Sequence, residues 1–155
     1  MDNDRIKGDN MTDNMTTKKP YTVLIVDDSI HILKLLEAGF SRTSYNVKTV
    51  SNPVLAIDII QKEPIDIVIT DIEMPYLKGL ELLKKIKSYN GMIQVLIMTG
   101  YTSINNALNA FRYGAENLFF KPVDVNEVIK GVDMCAAKLD RVNYLLNELK
   151  KANIS

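Results

Sequence analysis

From Tyr21 onward the chain alternates short apolar runs, polar breaks and segments of helical periodicity, and this unit repeats five times. Apolar runs bounded by turn residues are typical of strands. The predicted strands are residues 21–26, 47–50, 65–70, 92–98 and 117–120. All but the second are nearly continuously apolar, as expected of parallel strands that helices cover on both faces. The second alternates polar and apolar residues, which predicts an edge strand.

The segments between these strands carry apolar residues at helical spacing. The clearest stripe, at positions i, i+3, i+4 and i+7, consists of Ile104, Ala107, Leu108 and Phe111. Such a stripe is typical of an amphipathic helix. The last helix is predicted to begin at Asp124, whose carboxylate can cap it, with Glu127 three residues later to complete a capping box. Strands that alternate with helices in this way predict an α/β fold with a parallel sheet and right-handed crossovers.

The charge balance and the cysteine content narrow the classes of function. The 155 residues include 19 basic and 19 acidic side chains, so the formal net charge is zero. Direct nucleic-acid binding is not expected, because no broad positive surface is available for phosphates. The single cysteine, Cys135, cannot form an internal disulfide or a cysteine-based zinc site, and it fits a reducing compartment. No apolar run approaches the ~20 residues of a membrane span.

Three regions are expected along the chain. Residues 1–19 are rich in Asp, Asn, Thr and Lys and predict a disordered tail without a secretory signal, so we expect a cytoplasmic protein. Residues 20–137 form the folded domain, and residues 138–155 extend its last helix. That helix carries a heptad seam made of Val128, Val132, Cys135, Leu139, Val142, Leu146 and Leu149. Its free part is too short for a coiled-coil assignment, which leaves open dimerisation, coverage of the chain's own surface and a linker within a longer protein.

Polar side chains stand at the carboxyl ends of four predicted strands. Asp27 and Asp28 follow the first strand, Asp71 the third, Thr99 the fourth and Lys121 the fifth. Parallel strands deliver these residues to one edge of the sheet, where ligands of open α/β sheets bind. Three neighbouring carboxylates repel one another unless they take up protons or hold a cation between them. Oxygen ligands without His or Cys suit a hard divalent ion, and Mg²⁺ is the expected one.

Each of these residues also has a simpler interpretation. Asp28 could cap the first helix, Asp71 could form an Asx turn, Thr99 could be a turn hydroxyl and Lys121 a solvated charge. Taken together, these interpretations require several coincidences at one edge of the sheet. A functional cluster is therefore favoured.

The ordered motifs resemble those of the receiver domain of two-component response regulators. The matching motifs are Asp27-Asp28, Asp71-Ile72-Glu73-Met74-Pro75, Gly79, Thr99, Gly114-Ala115 and Lys121-Pro122. No single motif is specific, but their order and spacing at five strand ends are. The resemblance covers residues 21 to about 137. It implies a flavodoxin-like fold, in which five helices flank a five-stranded parallel sheet of order 2-1-3-4-5.

The resemblance also implies a role for each acidic residue. Asp71 would be the phosphoacceptor, whose carboxylate attacks a phosphohistidine and forms an acyl phosphate. Asp28 would bind Mg²⁺ directly and Asp27 mainly through a water molecule. Asp71 and the backbone carbonyl of Glu73 would complete the protein's share of the coordination.

The remaining motifs imply a switch. Lys121, held by a cis bond to the following proline, would pair with a phosphoryl oxygen. The hydroxyl of Thr99 would reach toward the phosphoryl group and draw the next loop inward, which changes a surface around the fourth helix, fifth strand and fifth helix. The family usually has an aromatic residue three positions before the lysine, where this chain has Leu118, so an aromatic rotamer switch cannot operate. Glu73 and Tyr101 flank the predicted pocket and are expected to slow self-dephosphorylation.

The expected function is that of a phosphorylation switch, enzymatic only in catalysing its own phosphorylation and dephosphorylation. A histidine kinase or phosphotransfer protein would be the donor, and the target is an unknown protein. A homodimer could form through the switching surface or the last helix. Other classes stay open: a phosphorylation-independent interaction module of the same fold, the receiver fragment of a longer regulator and a flavodoxin-like cofactor binder. The cofactor binder is the weakest, because Asp27-Asp28 stands where a phosphate would need amides.

Overall fold

Strands and helices alternate five times in the computed structural model, which describes residues 18–100 and 102–153. The strands are β1 (Thr22–Val26), β2 (Asn46–Val50), β3 (Ile67–Asp71), β4 (Gln94–Thr99) and β5 (Asn117–Phe120). The helices are α1 (Ile30–Phe40), α2 (Pro53–Lys62), α3 (Gly79–Tyr89), α4 (Ile104–Arg112) and α5 (Val125–Ala152). The predicted disordered tail falls mostly on residues 1–17, which lie outside the described residues.

The five strands form one parallel sheet in the order β2-β1-β3-β4-β5. This confirms the predicted α/β fold, the strand order and the edge position of β2. The inner strands β1, β3 and β4 are buried along their whole length. From β1 the chain adds β2 on one side and then β3 on the other, so the order of strands reverses between β1 and β3. The carboxyl ends of these two strands lie side by side at this point, where open α/β sheets bind ligands.

Helices cover both faces of the sheet, and each face has its own hydrophobic core. Successive side chains of a strand point to opposite faces. Leu24 and Val26 of β1 belong to the core formed with α2, α3 and α4, whereas Val23 and Ile25 belong to the core formed with α1 and α5. Because both faces are closed by helices, the polar side chains of the inner strands are concentrated at the ends of the sheet.

The structure corrects the burial expected for α4 and β5. The apolar stripe of α4, which periodicity alone would place against the core, is exposed: Ile104 is 80% exposed, and Leu108 and Phe111 are about half exposed. The buried residue of α4 is Ala110. The prediction that β5 is covered on both faces is wrong, since Phe120 is 66% exposed. The reason is position, because β5 pairs only with β4 among the described strands and forms the second edge of the sheet.

Strands β3 and β4 each begin two residues later and end one residue later than predicted. Asp71 and Thr99 are therefore the last residues of strands and not the first residues of loops. The sheet pairing extends to them, since Asp71 is in register with Met98 and Thr99 with Phe120. The regular backbone of the sheet thus sets the position of both side chains.

Helix α5 begins where the sequence predicts. The carboxylate of Asp124 accepts hydrogen bonds from the backbone N–H groups of Asn126 and Glu127. The helix then continues without a break to Ala152, and its apolar seam is buried as far as Leu139. None of the helices within the described residues combines the length and the apolar character of a membrane span.

Replacing Leu108 by alanine should lower the free energy of unfolding by less than about 1 kcal/mol, because this side chain is about half exposed on α4. The matched Leu83→Ala change on α3 removes a fully buried side chain and should cost ~2–5 kcal/mol. Urea denaturation of the two variants measures the difference. Equal losses would show that the α4 stripe packs against the core in solution.

Candidate functional site

Asp27 stands directly after β1 and is fully buried. Its Oδ1 accepts a hydrogen bond from the backbone N–H of Ser29 at 2.9 Å. Its Oδ2 accepts a second bond from the Lys121 ammonium at 2.7 Å. A buried carboxylate without partners is very unfavourable, so these two bonds make the position of Asp27 possible.

Asp71, at the end of β3, is bonded in the same way. Its Oδ1 accepts a hydrogen bond from the backbone N–H of Glu73 at 3.3 Å, and its Oδ2 accepts one from the Lys121 ammonium at 3.0 Å. The bond to a residue two positions ahead is the Asx turn of the simpler interpretation. It coexists with the bond to Lys121, so the turn orients the carboxylate and does not exclude a functional role.

Asp28 supplies the third carboxylate. Its side chain is exposed, and one oxygen from each of Asp27, Asp28 and Asp71 lies within 4.8 Å of the others. The interpretation of Asp28 as a helix cap is wrong, because the N-cap of α1 is Ser29, whose hydroxyl accepts a hydrogen bond from the N–H of Ile32 at 3.5 Å. The three predicted carboxylates therefore meet at one edge of the sheet.

The pocket holds three carboxylates and one ammonium, which pairs with Asp27 and Asp71, so an excess of negative charge remains when all four groups are ionised. Burial raises the pKa of Asp71, and this effect outweighs the lowering of the pKa by Lys121. Burial would by itself lower the pKa of Lys121, but the hydrogen bonds to Asp27 and Asp71 outweigh burial and raise it. An anionic pocket of carboxylate oxygens fits a hard divalent cation.

Thr99 and Lys121 are joined through the backbone. The N–H of Lys121 donates to the carbonyl oxygen of Thr99 at 2.7 Å, and Thr99 is fully buried at the end of β4. The Lys121–Pro122 peptide bond is cis, as predicted. The structure thus brings the lysine together with the three carboxylates and places Thr99 at an adjacent strand end.

The other residues named from the sequence are less closely involved. The side chain of Glu73 is exposed, and the role of its carbonyl as a metal ligand stays a prediction. Leu118 is half-buried in β5 and packs against the core beneath α4. Tyr101 lies outside the described residues, so its expected effect on dephosphorylation also stays a prediction.

Gly79 is one of the motifs that carry the resemblance, and the structure shows the backbone contact that requires a glycine there. A Cβ atom at Gly79 would lie 1.9 Å from the carbonyl oxygen of Asp71. The N–H of Gly79 donates to the carbonyl oxygen of Ile72 at 2.9 Å. The start of α3 therefore packs directly on the backbone that carries the Asp71 carboxylate, and only glycine leaves room for this contact.

The Gly79→Ala variant should lose about 1–3 kcal/mol of the free energy of unfolding, since the added methyl group must displace backbone atoms. Gly100→Ala is the matched control, because a Cβ at Gly100 meets no atom of the described residues within 4 Å; it should change stability by less than about 1 kcal/mol. Urea denaturation measures both. A Gly79→Ala protein as stable as the control would contradict the close approach.

In metal-free buffer, Asp71→Asn should be more stable than the wild type at neutral pH. The raised pKa means that the folded state binds the Asp71 proton more tightly than the unfolded state does, so ionisation costs folding free energy. The difference in free energy of unfolding between Asp71→Asn and the wild type should grow as the pH rises from 3.8, the ordinary pKa of an aspartate, through the raised pKa of Asp71. Above that pKa the difference should level off.

Urea denaturation from acidic to neutral pH, with EDTA present, measures this difference in stability. Asp58→Asn, which removes an exposed carboxylate on α2, is the control and should show little change. A constant difference between wild type and Asp71→Asn across the pH range would contradict the account.

A model of the response regulator receiver domain family matches residues 23–133. Sporulation initiation phosphotransferase F of Bacillus subtilis (strain 168) is 36% identical over 106 residues, which cover 68% of this chain and 86% of that protein. Transcriptional regulatory protein ZraR of Klebsiella oxytoca is also 36% identical over 106 residues, but the match covers 24% of its length. The chain thus corresponds to about a quarter of that regulator.

Solved structures share the fold. The signal receiver domain of a putative Luxo repressor protein from Vibrio parahaemolyticus has a TM-score of 0.77 at 23% identity, covering 81% of this chain and 97% of that one. A response regulator receiver domain protein from Clostridium thermocellum has a TM-score of 0.70 at 29% identity, and the match covers 81% of this chain and 98% of that one. The region matched by the family model contains the three carboxylates and the lysine of the pocket. This chain belongs to the response regulator receiver domain family.

Proposed function

We propose that this receiver domain takes a phosphoryl group onto Asp71 from the phosphohistidine of a histidine kinase or phosphotransfer protein. The reaction depends on Mg²⁺, and the modified domain changes the surface of α4, β5 and α5 to control a partner. The observation that supports this most is the Lys121 ammonium, which bonds both Asp27 and Asp71 within a cluster of three carboxylates.

Among the three carboxylates, Asp71 combines access with a neighbouring cation. The side chain of Asp27 is 0% exposed and that of Asp71 is 8% exposed. Asp28 is exposed, but the ion pairs of Lys121 go to the other two carboxylates. A phosphoacceptor must be reachable by the donor and must have positive charge beside it to stabilise the transferring oxygens. Asp71 meets both requirements.

Receiver domains bind Mg²⁺ at an acidic pocket, and the residues of this pocket suit that ion. Mg²⁺ prefers a small number of carboxylates and keeps several waters, which agrees with three carboxylate oxygens within 4.8 Å of one another. We infer that Asp28 and Asp71 hold the ion directly, Asp27 through water, and the Glu73 carbonyl as a further ligand. When bound, Mg²⁺ offsets the negative charge of the carboxylate and of the phosphoryl oxygens.

In the transfer step, a carboxylate oxygen of Asp71 forms a bond to phosphorus while the bond between phosphorus and the imidazole nitrogen breaks. The nitrogen keeps the electron pair of that bond, and Asp71 becomes an acyl phosphate. Lys121 exchanges its bond to Asp71 for one to a phosphoryl oxygen, because the negative charge now lies there. The Thr99 hydroxyl approaches the phosphoryl group, since the end of β4 lies beside the end of β3.

The proposed output surface exposes apolar side chains before any modification. They are Ile104, Leu108 and Phe111 on α4 and Phe120 on β5. In the loop between β4 and α4, Oγ1 of Thr102 is buried and has no hydrogen-bond partner among the described residues. An unsatisfied buried hydroxyl favours rearrangement. We infer that a shift of this loop replaces the aromatic rotation that Leu118 makes unavailable.

The relatives differ in what accompanies the receiver domain. The phosphotransferase from Bacillus subtilis is matched along most of its length, whereas the Klebsiella oxytoca regulator is matched along a quarter. The phosphoryl donor, the target protein and the cytoplasmic location of this chain stay predictions. The phosphorylation-independent module is not favoured, because the three carboxylates keep oxygens within 4.8 Å of one another and Lys121 pairs with Asp27 and Asp71.

Incubation with acetyl phosphate and Mg²⁺ should add the mass of one phosphoryl group to the intact protein, because this donor carries its own activated phosphoryl group. Asp71→Asn should show no adduct, and Asp58→Asn should react like the wild type. Intact-mass spectrometry measures the adduct. An adduct on Asp71→Asn would contradict the assignment, and an unreactive wild type would favour the phosphorylation-independent module.

Mg²⁺ should stabilise the folded protein by about 2.7 kcal/mol when its concentration is 100 times the dissociation constant. Asp28→Asn should lose most of this gain. Its stability in EDTA should stay within about 0.5 kcal/mol of the wild type, because Asp28 is exposed. Urea denaturation with MgCl₂ and with EDTA measures both values, and an undiminished gain in Asp28→Asn would show that the ion binds elsewhere.

A further inference from the structure

Helix α5 extends past the sheet. Its apolar seam is buried as far as Leu139. The residues that follow, 140–152, are called the α5 overhang and span roughly 20 Å at the helical rise of about 1.5 Å per residue. Leu145, Leu146 and Leu149 are exposed on the overhang. The overhang continues α5 and needs no separate nucleation, but burial of these leucines would still stabilise it.

A cavity lies where the overhang leaves the domain. Its volume is about 160 Å³. Leu139 and Leu146 line it on the helix, and Ile65, Met92 and Ile93 line it on the side of the sheet. Tyr21, Asp66, Asn90 and Asn143 complete the lining. The apolar side chains come from separate parts of the chain and supply the larger part of the exposed lining, so the cavity suits an aliphatic side chain.

The first turn of the overhang is tied to the domain. The Tyr21 hydroxyl donates to Oδ1 of Asp140 at 2.5 Å, and Nδ2 of Asn143 donates to the Tyr21 hydroxyl at 3.4 Å. Lys18 forms an ion pair with Asp140. These contacts set the direction in which the seam faces, and they keep Leu146 beside the cavity.

We propose that the α5 overhang and this cavity form an interface between two antiparallel copies of the chain. The same surface carries a row of leucines and a cavity that accepts one, which is the self-complementarity that a two-fold interface requires. Leu149 of the second copy enters the cavity beside Met92. Leu146 packs against Val142 of the second copy, and the reverse contacts follow from the symmetry.

The orientation follows from the direction of the seam. As far as Leu139 the seam faces its own sheet. Beyond that residue the same face of the helix is half-buried at Val142 and exposed at Leu146 and Leu149. A parallel second helix on this face would bring its own domain into the space that the first domain occupies. An antiparallel helix instead places the second domain beyond the far end of the overhang, so both domains fit.

The charges of the overhang suit a second copy better than a strongly charged partner. Arg141, Lys150 and Lys151 stand on the same short helix as Asp140 and Glu148, so the copies carry little net charge to repel each other. Two short helices alone provide less than the ~800 Å² per partner of a standard interface. Insertion into the cavity is therefore a necessary part of the contact, and we expect a weak dimer.

This interface is separate from the phosphorylation switch. Ile65 and Ile93 stand just before β3 and β4, so the cavity lies at the amino ends of the strands, at the opposite edge of the sheet from Asp71. The dimer is expected with and without phosphorylation. Its absence would leave the proposed function of Asp71 untouched.

Sedimentation equilibrium of the full chain tests the interface. The wild type should form dimers, and Leu146→Glu should raise the dissociation constant at least about tenfold, since it places a charge at the centre of an apolar contact. Ile104→Glu, which changes an equally accessible apolar residue on α4, is the control and should dimerise like the wild type. A monomeric wild type, or dimers lost in Ile104→Glu and kept in Leu146→Glu, would overturn the proposal.

Mixed single-cysteine variants test the orientation. Met92→Cys and Leu149→Cys chains, oxidised together, should form a disulfide-linked pair, because residue 149 of one copy enters the cavity beside residue 92 of the other. The native Cys135 is buried and its pKa is raised to about 11, so it should not compete. Disulfides between two Leu149→Cys chains, or none between the two variants in a dimeric sample, would overturn the antiparallel arrangement.

Discussion

The pair of hydrogen bonds from the Lys121 ammonium to Asp27 and Asp71 is the interaction on which the site depends. One cation joins the ends of β1, β3 and β5, and it offsets two carboxylates that stand in a largely buried position. Removing the Lys121 ammonium would leave these two carboxylates without a compensating charge and would cost several kcal/mol. The network still lacks positive charge, because Asp28 adds a third carboxylate. That deficit makes the pocket receptive to a divalent cation.

The fold supports this network through backbone positions. The buried strands β1 and β3 fix the backbone positions of Asp27 and Asp71. A hydrogen bond from the backbone N–H two residues ahead then orients each carboxylate. Gly79 lets α3 pack on the Asp71 backbone, which limits movement of that carboxylate. The backbone bond between Lys121 and Thr99 links the lysine to the end of β4. In the proposed mechanism, a change in charge at Asp71 would reach β4 and the loop that leads to α4 through this bond.

Much of this architecture could be predicted from the sequence, because apolar runs and helical spacing are local signals. Parallel strands must bring their carboxyl ends together, so the meeting of Asp28 with the other carboxylates followed from topology. Periodicity shows which residues share a face of α4 but not what that face meets, and Ile104 is accordingly exposed. The contact of Gly79 with Asp71 joins separate segments through their backbones, and no local pattern signals it.

Asp71 is the proposed phosphoacceptor among three neighbouring carboxylates, and chemical trapping tests that assignment most directly. Borohydride reduces an aspartyl phosphate to homoserine, so a sample treated with acetyl phosphate and Mg²⁺ can be reduced, digested and sequenced by mass spectrometry. We predict homoserine at position 71 and aspartate at positions 27 and 28. Homoserine at position 27 or 28, with aspartate retained at position 71, would contradict it.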